Sequence, residues 1–106
     1  MNTTTTPMMA KAIELGGREW TARDGSVRIY LNGWQELVGL EVDRYKSGNI
    51  SSAAYKGERV SNTAASGLLC VKAYVDASGL HAGATTGTGR YILPEMVADL
   101  AAMLEA

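Results

Sequence analysis

The chain has 106 residues, a formal charge of −1, and 46% hydrophobic against 20% charged residues, the size and balance of one globular domain. A chain of this length buries about 60–70% of its unfolded surface, enough for a single core without a metal or disulfide staple. Near-neutral charge excludes a long-range pull of the whole molecule toward nucleic acid or anionic lipid, so any such binding has to come from a local patch.

The first residues, MNTTTTPMMA, have neither a basic stretch nor an apolar core of the kind a secretory leader carries. They read as a flexible tail over residues 1–9, followed by a single α+β domain over 10–106. From Lys11 the pattern is one of short strands and tight turns. KAIEL alternates, Gly16-Gly17 turns the chain into REWTA, and Asp24-Gly25 leads into SVRIYL. There Val27, Ile29 and Leu31 share one face, with Arg28 and Tyr30 on the other. Asn32-Gly33 marks a further turn, and three such pairs at even spacing predict an antiparallel meander. ELVGLEVDRY places Val38, Leu40 and Val42 on one face; KSGN reads as a turn and ISSAAYK as a returning strand of small residues, expected at a sheet edge or under a close neighbour.

Ser61 has the chemistry of a helix N-cap, which predicts a short helix over about 61–69. LLCVKAYVD returns to alternation with Leu69, Val71, Ala73 and Val75 inward, and a Gly/Thr-rich arm over 82–90 follows, of unassigned form and role. Met96, Val97, Leu100, Met103 and Leu104 then repeat at helical spacing after Pro94, which predicts an amphipathic helix over about 94–105. The expected fold is therefore α+β, an antiparallel sheet of five to seven short strands covered by these two helices. No run of eighteen apolar residues occurs, so no membrane partner is expected and a cytoplasmic location is the default.

The chemistry legible in these residues is sparse. One histidine, His81, and one cysteine, Cys70, do not make a metal-ligand set, so neither metal nor cofactor is expected. Cys70 lies in an apolar run and reads as a buried, inert thiol; His81 follows a turn and reads as a surface side chain. GATTGTGR fails as a phosphate loop because Gly89 is followed by Arg90 and Tyr91. A chain that acts without catalysis is the expectation.

One segment concentrates function-like residues. RYKSGNISSAAYKGERVSN, residues 44–62, holds four of the ten Lys and Arg side chains with two tyrosines. Arg44, Tyr45, Lys46, Asn49, Tyr55, Lys56 and Arg59 are the expected contact residues, with Ser61 and Asn62 adding the free amides of a helix start. The same segment also suits a solvated hairpin.

NGW, then VGLEVDRYKSGNISSAAYKGERVSN, resembles a type of small phage and mobile-element accessory protein. The resemblance spans about residues 26–76 and is strongest between Asn32 and Asn62. It implies a protein that binds and occludes a host protein or nucleoprotein complex, in the manner of anti-CRISPR proteins, which are similar in size and composition. Two other classes stay open: a nucleic-acid-binding module using the 44–62 hairpin, and a structural protein that forms a homodimer through the last helix.

Overall fold

The computed structural model describes residues 5–83 and 92–106. Residues 1–4 of the expected tail and 84–90 of the Gly/Thr-rich arm lie outside the described residues. The fold is α+β, with helices α1 (Pro7–Glu14), α2 (Trp34–Leu37), α3 (Asn62–Leu69) and α4 (Leu93–Glu105). Among the described residues seven strands accompany them: β1 (Arg18–Thr21), β2 (Val27–Tyr30), β3 (Leu40–Arg44), β4 (Ile50–Tyr55), β5 (Glu58–Val60), β6 (Ala73–Asp76) and β7 (Gly79–Ala82).

The strands form two sheets where one was expected: an antiparallel four-stranded sheet in the order β1-β2-β6-β7, and an antiparallel three-stranded sheet in the order β3-β4-β5. The break falls at Asn32-Gly33. This pair starts helix α2 instead of closing a hairpin, with Gly33 in the left-handed region at φ 75°. Asp24-Gly25 does close a hairpin, between β1 and β2. Of the two places expected for strand β4, a sheet edge or under a close neighbour, the structure has the second: it lies in the middle of its sheet, beneath α3. Its small residues are explained by the helix upon it: Ala53 is buried, and Ala64, Ala65 and Leu68 of α3 belong to the same core.

The start of the chain is the second correction. Pro7, Met8 and Met9 are the first residues of helix α1, so the tail does not reach residue 9. The stretch KAIEL completes that helix and is not a strand. Thr6 caps it by accepting a bond from the Met9 amide at 3.1 Å, and Pro7 occupies the first turn, where no amide hydrogen is needed. Met9 and Ala12, three apart, are buried; a five-residue window shows alternation and hides this spacing.

Helix α1 packs against β2, β6 and β7 and beside α4. Gly17 makes the close approach possible. A methyl group there would meet Ile29 Cγ2 at 2.5 Å and the Ala12 carbonyl oxygen at 2.6 Å. The two sheets share one core, which runs from Met9, Ile29 and Val75 through Met96, Leu100 and Leu104 to Trp34, Tyr55 and Leu68. Met96, Leu100 and Leu104 put the stripe of the last helix inside, as expected. Gln35, 3% exposed, is the buried polar side chain among the described residues; its Nε2 donates to the carbonyls of Leu68 (2.6 Å) and Val71 (2.8 Å). Trp34 Nε1 donates to the same Val71 carbonyl at 2.9 Å. Helix α2 thereby ties the end of α3 to the junction between the sheets.

Candidate functional site

The residues expected to act together over 44–62 fall into three places. At the β3–β4 turn, Tyr45 is 63% exposed and Lys46 and Asn49 are exposed, while Arg44 Nη1 donates to the Gly48 carbonyl at 2.9 Å and so braces its own turn. Arg44, Asn49 and Asn62 line an open groove of about 760 Å³, with Cys70 also in its lining. Cys70 is exposed, which corrects the expectation of a buried thiol. It follows the last turn of α3, outside the alternating run that turns Val71, Ala73 and Val75 inward. Arg59 stands apart in a recess with Glu41 and Asp43.

Tyr55 and Lys56 are committed to the fold. Tyr55 is 4% exposed, and its hydroxyl donates to Asp99 of α4. Lys56 has a left-handed backbone (φ 53°), with Gly57 following at φ 81°, the two positive values a tight hairpin turn requires. Its ammonium pairs with Asp99 at 3.0 Å and Glu95 at 3.1 Å. The Tyr55 hydroxyl, then Lys56, holds the Asp99 carboxyl below its usual range. Burial, then the bond to Asp99, pushes Tyr55 up to about 12. Ser61 caps α3 by accepting from the Ala64 amide at 3.1 Å. Asn62 Nδ2 donates to the carbonyls of Ile50 (3.2 Å) and Ser51 (3.4 Å). A single basic and aromatic surface over 44–62 is therefore not what the fold builds.

The surface it does build lies on the outer face of the four-stranded sheet. Alternation turns Ile29, Ala73 and Val75 toward α1 and leaves Arg28, Tyr30, Tyr74 and Asp76 outward. Antiparallel register then sets Tyr30 opposite both Arg18 and Tyr74, Tyr74 opposite His81, and Trp20 opposite Arg28. Four rings cross the sheet in sequence: Trp20 to Tyr30 edge-on at 6.4 Å, Tyr30 to Tyr74 at 5.4 Å, and Tyr74 stacked on His81 at 4.9 Å. The Arg28 guanidinium sits 4.6 Å from the Tyr74 centroid and 5.8 Å from that of Trp20, and its Nη1 donates to the Tyr30 hydroxyl at 3.3 Å. Trp20, at the sheet edge, is 49% exposed. Such cation–ring contacts contribute about 0.5–1 kcal/mol at exposed sites, and here they hold a long, flexible arginine in one place.

At the end of this face Asp76, Ser78 and His81 converge. Ser78 donates its hydroxyl (2.6 Å) and its amide (2.9 Å) to Asp76 Oδ1, and His81 Nε2 lies 3.0 Å from that oxygen and 2.8 Å from Ser78 Oγ. The bonds from Ser78, with His81 beside them, keep the Asp76 carboxyl below its ordinary range. A nucleophile relay needs the serine on one ring nitrogen and the carboxylate on the other. Both lie here on Nε2, and the hydroxyl already donates to the acid, which is the arrangement of a pinned β6–β7 turn. Among the described residues no three His, Cys, Asp or Glu side chains converge as a metal site would need.

Part of this surface was visible in the sequence, where alternation already set Arg28 and Tyr30 outward. What the sequence hides is the pairing of β2 with β6, more than forty residues later, which brings Tyr74 and His81 beside them. No family model, curated protein or solved structure matches the chain. No helix of the described residues is long and apolar enough to cross a membrane.

Proposed function

We propose that this protein works by binding, without chemistry of its own, and that the outer face of the four-stranded sheet is its contact surface. The observation that supports this is Trp20, half-exposed at the sheet edge and continuous with Arg28, Tyr30 and Tyr74. Tryptophan, tyrosine and arginine dominate binding energy where they are found at contact surfaces. Ordering such side chains on association costs about 0.5–1.5 kcal/mol each. Here Arg28 is already held by two rings and a hydroxyl, so much of that cost is met before a partner arrives. The reading keeps the expectation of a small phage-like protein that occludes a host protein or nucleoprotein complex, and it moves the contact from the 44–62 hairpin to the ring-bearing face.

The test is photo-cross-linking in the host cell, with a photoreactive residue at position 20 or at position 13, where Ile13 is 47% exposed on α1. A discrete partner captured from position 20 and absent from position 13 is the expected result. Equal, diffuse capture from both positions overturns the reading.

A further inference from the structure

We infer that the occupant of this face is a single strand of nucleic acid, an inference that rests on the binding reading above. Outward side chains of the four strands and their extensions are Arg18, Trp20, Arg28, Tyr30, Tyr74, Asp76 and His81, with Lys72 exposed in the same parity as Tyr74. The Gly83 amide donates to the Lys72 carbonyl at 2.8 Å, which continues the β6–β7 ladder and fixes that parity. Apart from Asp76 and the small Ala22 at the β1–β2 end, this set consists of rings and cations. Valine, leucine and isoleucine of the same strands all face inward. Protein-binding patches also favour aromatic residues and arginine, but they are depleted of lysine and of charge at their centre, whereas here cations stand among the rings. Rings with cations set among them suit bases and phosphates.

Charge points the same way. The chain carries −1 overall, yet among the described residues the strands and their extensions bear three permanent cations on this face, Arg18, Arg28 and Lys72, against one acid. That acid, Asp76, is already satisfied by Ser78 and His81. Bases stack on rings whatever their sequence, and cations between the rings track the backbone. Trp20 offers the most open ring. In a duplex the bases are stacked on one another and unavailable to rings on a flat sheet, so the face selects single strands.

The experiment is fluorescence anisotropy with a labelled oligothymidylate of about twelve nucleotides, within the usual site size, and with a duplex of equal length, at low and moderate salt. Single-strand binding is expected to exceed duplex binding. Three phosphate contacts at about 0.7 each predict a log–log salt slope of about −2. Trp20→Ala is expected to weaken binding roughly tenfold or more while the protein stays folded, its melting temperature lowered by only a few degrees, because the ring is half-exposed and its contacts lie at the surface. Lys46→Ala with Arg59→Ala, on the other sheet, is expected to change nothing.

Absence of binding at low salt, equal binding of duplex, or binding that survives Trp20→Ala and is lost in the Lys46/Arg59 variant each overturns the inference. If the oligonucleotide does not bind while position 20 still captures one protein in cells, the binding reading stands and the nucleic-acid inference falls. If position 20 captures nothing discrete either, both fall.

Discussion

Replacing Gln35 by methionine and Trp34 by phenylalanine, singly and together, tests how the two sheets are joined. Gln35→Met keeps the length of the side chain and removes both Nε2 bonds. Neither carbonyl is then left bare: Leu68 O still accepts from the Val71 amide at 3.1 Å, and Val71 O still accepts from Trp34 Nε1. The cost is the net worth of two neutral hydrogen bonds, about 1–3 kcal/mol, or a drop in Tm of very roughly 4–8 °C per kcal/mol in a domain of this size. Trp34→Phe removes the indole donor and some volume, but leaves Val71 O paired with Gln35. Only the double variant strips that buried carbonyl of both donors, and a bare buried acceptor costs about 1–3 kcal/mol more. Urea unfolding of the four proteins should therefore show a destabilising coupling of about 1 kcal/mol or more. Additivity within about 0.3 kcal/mol refutes the shared-acceptor account.

The remaining predictions concern the core and its latch. Asp99 is depressed in the fold, so its contribution is complete above the ordinary carboxylate pKa and is lost as pH falls through its lowered value. Lys56 and Tyr55 are raised, so theirs are complete below their unfolded values and fade as pH rises beyond about 10. Asp99→Asn should flatten the acid limb of a stability–pH profile below about pH 4; an unchanged acid limb contradicts the latch. Gly17→Ala should cost about 1–3 kcal/mol in chemical denaturation, because its methyl meets Ile29 and the Ala12 carbonyl. Leu100, fully buried, should give no folded monomer as Leu100→Asp. A folded monomer with an altered assembly state by sedimentation would instead make α4 the homodimer surface.

Local signals carried much of this fold. The Ser61 cap, the stripe of the last helix and, of the inward set, Val71, Ala73 and Val75 are read from spacing and side-chain chemistry that act over a few residues; Leu69, the fourth of that set, instead ends α3 and is half-buried. The errors arose where two local readings compete. KAIEL alternates over five residues, yet with the residues before it the spacing of Met9, Ala12 and Leu15 is helical, and Thr6 caps that helix. Asn32-Gly33 suits a hairpin turn and a left-handed helix entry equally. Contact surfaces are harder still, since the side chains of one face come from distant segments. The 44–62 residues are neighbours in sequence and separate in space, with Tyr55 and Lys56 drawn to α4. Trp20, Arg28, Tyr74 and His81 are scattered in sequence and adjacent in space.

The central claim is that the outer face of the four-stranded sheet meets the partner. Hydroxyl-radical footprinting of the protein in cells, compared with the purified protein, reads this side chain by side chain. Tyr45, 63% exposed at the tip of the 44–62 hairpin, serves as the internal reference for Trp20. The account predicts that Trp20 and Tyr74 become protected in the cell while Tyr45 does not. Protection of Tyr45 with Trp20 left fully reactive would contradict it and return the contact to the hairpin.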